Sequence, residues 1–143
     1  MVAALVASCA LMGHLPFIRP DQACTPGDYD KLTTAQVCTS KDRPALPAAE
    51  RRRILVNYGF NPATWTGKSG ELDHRVPVFL GGRTDARNIW PEPEPVFNTK
   101  DRLEVYVQRR ICSSHTMRAG YARHIFMGNW VLYYNRYLGG IPR

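Results

Sequence analysis

The sequence predicts an α+β domain, and three observations carry that expectation. Two short runs of β-forming residues, 72–80 and 88–90, flank a loop that opens on Gly81 and Gly82. A proline-rich stretch, PEPEP at 91–95, follows the second run. Apolar residues then recur at helical spacing: Leu103, Val107 and Ile111 stand four apart, and Ala119, Ala122, Phe126, Trp130, Tyr134 and Leu138 form a longer stripe. The order is therefore strand, loop, strand, stiff connector, then helices.

Taken in order, the chain opens on an apolar run at 2–12. It is too short to span a bilayer and matches the apolar part of a secretory signal, although no Lys or Arg precedes it. Residues 1–23 are read as a signal-like segment and 24–143 as one domain, which implies export and no stable membrane span. Residues 15–47, rich in Pro, Asp, Thr and Lys, predict an irregular arm. LPAAERRRILVNYG (46–59) predicts a helix with Pro47 near its first turn, Ile54, Leu55 and Tyr58 on one side and Gly59 as terminator. Turn chemistry around Trp65 fills 61–70. Pro77 within 72–80 marks an edge or a bend, and Pro91 is expected to stop the second strand after Trp90. Helices are expected over 98–112 and, as one continuous element, over 117–138.

Four cysteines stand at 9, 24, 38 and 112. With Cys9 removed in a signal, Cys24 and Cys38 are the candidate disulfide, closing a loop of about 15 residues and contributing roughly 3 kcal/mol. No CxxC pair is present, which argues against a structural zinc site.

Composition narrows the function. Hydrophobic residues at 44% and charged residues at 22% exclude global disorder. The net charge is +7, and 105–143 holds six arginines and no acidic residue. Such a one-signed surface favours a polyanion, of which nucleic acid is the commonest.

The chemistry-bearing stretch is ELDHRVPVFLGG at 71–82, with Asp73 beside His74. An Asp-His pair alone means little, but its company is spaced in order: Asn88 lies 14 residues after His74 and Asn98 ten after that. LDHRVPVFLGG, NIWP and NTKDR resemble the signature of the HNH endonuclease family, whose site is a hairpin and helix, the ββα-metal fold. CTPGD upstream, NIWPEP and KDRLE…C are similar to a small, exported bacterial branch of that family. The motif core covers 71–104.

The resemblance implies a fold with a ββα-metal core, flanking helices and an irregular N-terminal arm. It implies a metal-dependent endonuclease acting on nucleic acid, DNA before RNA, and since no recognition helix or separate specificity module is visible, little sequence preference is expected. His74 would be the general base, and Asp73 and Asn98 would ligate one divalent cation, Mg²⁺ or Mn²⁺, as hard oxygen donors. Asn88 would bond backbone across the hairpin and support the site, while Lys100 and Arg102 would contact phosphate. Asp101 and Glu104 are rival ligands, and Glu71 is either a site-orienting group or a surface ion pair. The chain departs from the family in having no CxxC zinc pairs and in carrying Asn98 where histidine is common. Successive strand residues also face opposite ways, so Asp73 and His74 can share one site only if the strand ends or twists there. Two other readings remain: a catalytically silent nucleic-acid-binding domain on this scaffold, and an exported structural or interaction protein.

Overall fold

The computed structural model describes residues 7–39, 41–93 and 98–139. Its elements are α1 (Thr34–Val37), α2 (Ala48–Asn57), β1 (Glu71–His74), a 3-10 turn (Val78–Leu80), β2 (Ile89–Glu92), α3 (Thr99–Cys112), α4 (Ala119–Met127) and α5 (Trp130–Leu138). This mixture of helices with one two-stranded antiparallel sheet is the expected α+β class. No helix among the described residues is long and apolar enough to cross a membrane.

The hairpin is shorter at its start and longer at its end than the sequence predicts. β1 stops at His74; Arg75 N–H still donates to the Asn88 carbonyl at 2.7 Å, and then Pro77, at φ −58°, leads into the 3-10 turn. β2 runs through Pro91 to Glu92, with Pro91 opposite Leu72. Alternate residues of an antiparallel ladder turn their N–H outward, so a proline fits at such a position on an edge strand. Gly81 and Gly82 are required where they stand. Gly81 is left-handed at φ 93°, and a Cβ on Gly82 would fall 1.8 Å from the Val76 carbonyl oxygen.

Two apolar clusters flank the hairpin. One joins Val37, Val76 and Leu80 to the buried sides of α3, α4 and α5, and includes the whole 119–138 stripe. The other packs Ile54 and Tyr58 of α2 with Cys9, Ile89 and Trp90. The expected last helix is in fact two. Buried Arg75 donates to the carbonyls of Phe126, Met127 and Gly128, as well as to Thr25 O and Gln22 Oε1. That takes the carbonyls at the end of α4, and Asn129 caps α5 by accepting from Val131 N–H.

The disulfides also differ from expectation. Cys9 pairs with Cys24 and Cys38 with Cys112, and the Cys24–Cys38 pairing does not form. The part of the apolar N-terminal run that lies among the described residues is built into the fold, with Ser8 and Cys9 N–H both donating to Asn57 O. The rest, 1–6, and residues 94–97 of the proline connector lie outside the described residues. Two disulfides suit an oxidising environment.

The bridges span 15 and 74 residues of sequence. The chain-entropy relation assigns them about 3 and about 4.4 kcal/mol. Replacing Cys38 and Cys112 by alanine should therefore lower the unfolding free energy, read by urea titration, more than replacing Cys9 and Cys24; the reverse order would contradict this assignment.

Candidate functional site

The hairpin register sets which groups meet. Glu71 stands opposite Glu92 and Asp73 opposite Trp90, so Glu71, Asp73 and Glu92 share one face. His74, opposite Ile89, belongs to the other face. The helix α3 approaches the acidic face with its N-terminus. Asn98 caps it: its Oδ1 accepts from Asp101 N–H at 3.2 Å, and Asp101 Oδ2 accepts from Asn98 N–H at 3.0 Å.

At this junction the carboxylate oxygens of Glu71, Asp73 and Asp101 all lie within 4.8 Å of one another. Asn98 Nδ2 donates to Glu71 Oε1 at 3.3 Å, which places Asn98 beside the same cluster. Asp73, Asn98 and Asp101 therefore come together as a group. His74 enters differently. Its ring bonds Thr84 Oγ1 through Nε2 at 2.8 Å, while Nδ1 is buried and has no hydrogen-bond partner among the described residues. Lys100 links the His74 backbone to Asp73: the ammonium pairs with Asp73 Oδ2 at 2.7 Å and donates to the His74 carbonyl at 2.8 Å.

Lys100 corrects an expectation. Read from sequence as a phosphate contact, it is 1% exposed, and its ammonium also pairs with Glu104. A buried ammonium must be matched by fixed counter-charge, and three protein acceptors consume this one. Arg102 remains half-exposed on the next turn. Asn88 is fully buried and bonds backbone on both sides of the loop: Oδ1 accepts from Val76 N–H at 2.9 Å, and Nδ2 donates to Val76 O and Arg83 O at 3.0 and 2.9 Å.

Charge is crowded here. Burial, then Asp73 and Asp101, push the Glu71 carboxyl up to about 7. Burial and Asp73 push Glu92 up to about 11. Glu92 is 3% exposed, and its Oε2 lacks a hydrogen-bond partner among the described residues. Burial alone would lower Lys100, but Asp73, Glu104 and Glu92 outweigh it and hold the ammonium protonated. Burial lowers His74 to about 4 despite the opposing pull of Asp73, so its imidazole is neutral at physiological pH. Glu71, Asp73 and Asp101 could hold a divalent cation: their hard oxygen donors converge, Glu92 Oε2 beside them lacks a hydrogen-bond partner among the described residues, and the acids outnumber the buried ammonium of Lys100.

Glu92, Thr84 and Arg43 had no signal in the sequence. Glu92 reads as part of a proline connector, and Thr84 as a loop residue. Arg43, on the exposed arm, is close enough for its charge to act on both Glu71 and His74. The other three histidines, His14, His115 and His124, are all exposed. Compared with protein-family models, characterised proteins and solved structures, the chain matches none.

The lowered His74 pKa has a defined stability signature. Between about pH 6.5 and 4 the unfolded chain binds the proton that folded His74 refuses, so acidification through that window destabilises the fold. Glu71 acts oppositely, but it is common to the native chain and a His74→Asn variant, so their difference isolates His74. In chelator, the native chain should lose urea resistance faster than His74→Asn as pH falls from 6.5 to 4. Parallel curves would contradict a buried neutral imidazole.

Proposed function

We propose that the chain is a metal-dependent HNH-type endonuclease that hydrolyses phosphodiester bonds of DNA with little sequence specificity. The observation that carries this reading is the oxygen cluster of Glu71, Asp73 and Asp101 beside Asn98, on a hairpin that also holds a neutral histidine with an unpartnered nitrogen. A hairpin followed by a helix that closes on it is the arrangement a ββα-metal core requires, which supports the resemblance read from 71–104.

In this reading Asp73 and Asn98 hold one divalent cation, Mg²⁺ or Mn²⁺, with Glu71 and Asp101 as neighbouring donors. When bound, the cation supplies Lewis acidity at the phosphoryl oxygen and at the departing alkoxide. His74 is the general base. In the tautomer whose Nε2–H donates to Thr84 Oγ1, the buried Nδ1 at the end of β1 would carry the lone pair that takes a proton from water, which requires water to reach it there. Asn88 fixes the loop from which Thr84 projects, and Lys100 keeps Asp73 and the His74 backbone in register. Arg102 and Arg43 supply cationic contacts for phosphate. The two disulfides fit an exported protein.

Two observations favour the silent-binder alternative. The Asp73 carboxylate already faces an ammonium, and the Asn98 amide oxygen already caps α3. The alternative keeps the basic surface and loses the reaction.

Nicking of supercoiled plasmid, with and without Mg²⁺ or Mn²⁺, separates the two. The native chain should nick only with metal, and His74→Ala should be slower by about 100-fold or more. Nicking undiminished in chelator or in His74→Ala would overturn the metal-dependent, His74-based reading. Equal inactivity of both proteins, with DNA retained at low salt, would favour the binder.

A further inference from the structure

Away from the site, three helices gather tyrosines and arginines on one surface. Tyr106 of α3 stacks on Tyr137 of α5 with ring centroids 5.1 Å apart and an interplanar angle of 30°. Tyr133 lies 6.5 Å from Tyr137, and Tyr121 of α4 meets Tyr133 edge-on at 6.0 Å. Arg110 sits over both Tyr106 and Tyr137, at 5.7 and 5.4 Å from their centroids, and Arg136 over Tyr133 at 5.6 Å. The array is continuous across α3, α4 and α5.

Tyr106, Tyr133 and Tyr137 are half-buried against the core, and Tyr121 is the exposed ring of the array. The inner sides of the same helices already bury Ile111, Ala122, Phe126, Tyr134 and Leu138. Tyr121 of α4 is 42% exposed and Leu132 of α5 is 64% exposed. Arg110 is held in place by Thr116 Oγ1, Thr116 O and the Tyr106 hydroxyl. A guanidinium lying on a ring keeps outward N–H groups at low entropic cost. From Val105 to the last residue there is no carboxylate side chain to repel an anion.

We propose that this tyrosine–arginine array is a binding surface for single-stranded nucleic acid, with phosphates on Arg110 and Arg136 and a base on Tyr121. Charge complementarity selects a polyanion. The exposed Tyr121 ring selects one whose bases are free to stack, since a duplex offers only its backbone here and gives the ring nothing to do. Along α3, Asn98 and Arg110 are 12 residues apart, about 18 Å of helix rise, so the array lies well away from the acidic cluster. The inference rests on the nuclease reading only in assigning both surfaces the same polymer.

Fluorescence anisotropy with a labelled oligothymidylate of about 20 nucleotides, in chelator and low salt, tests it without requiring turnover. Tyr121→Ala and Arg136→Ala should each weaken binding about tenfold, whereas Tyr121→Phe, which keeps the ring, should match the native chain. A duplex of the same length should be almost indifferent to Tyr121→Ala. Unchanged oligothymidylate binding in Tyr121→Ala, equal losses for strand and duplex, or equally strong competition by polyglutamate would each overturn the proposal. The two readings fail separately. A chain that binds the strand through Tyr121 but never nicks plasmid keeps this surface and loses the nuclease. A chain that nicks but ignores Tyr121→Ala does the opposite.

Discussion

The buried ammonium of Lys100 is the interaction on which the rest of the site depends. It reaches from the first turn of α3 to Asp73 and to the His74 carbonyl on β1, and it lies 5.3 Å from the Phe126 ring of α4. Sheet, α3 and α4 thus meet at one atom. Taking a charge out of water costs several kcal/mol, and only close, well-made partners offset that. The geometry is correspondingly strict: if α3 slid by one turn, the ammonium would lose Asp73 and the His74 carbonyl and keep only Glu104 of its own helix.

The same charge orders the acids around it. Glu71, Asp73, Glu92, Asp101 and Glu104 converge on one junction, where mutual repulsion and burial favour protonated forms for Glu71 and Glu92. A single ammonium relieves only part of this. Asn88 and Arg75 provide the frame by other means. Asn88 closes the Gly81–Gly82 loop through backbone bonds, and Arg75 ties the N-terminal arm to the end of α4 through neutral acceptors alone.

Much of the scaffold was legible in the sequence because it follows from local rules. The apolar spacing of α2 and α3 and the buried 119–138 stripe are written in periodicity. What escaped was set by distant partners. The break before α5 depends on Arg75, 51 to 53 residues away in sequence from the carbonyls it takes. The cysteine pairing depended on Cys9 being part of the fold. Lys100 read as a phosphate contact because burial is invisible at one position, and Glu92 was hidden because Pro91 argued for the end of a strand that in fact continues. The positions of Asp73, His74, Asn88 and Asn98 were legible. Their roles in the chemistry rest on what the cluster binds.

Calorimetric titration of the full chain with Mn²⁺, beside Asp73→Asn, therefore tests the central claim most directly. One ion bound per chain, with affinity at least about tenfold weaker in the variant, is the result this account predicts. No binding, or binding that Asp73→Asn leaves unchanged, would mean that the acidic junction serves only to hold Lys100.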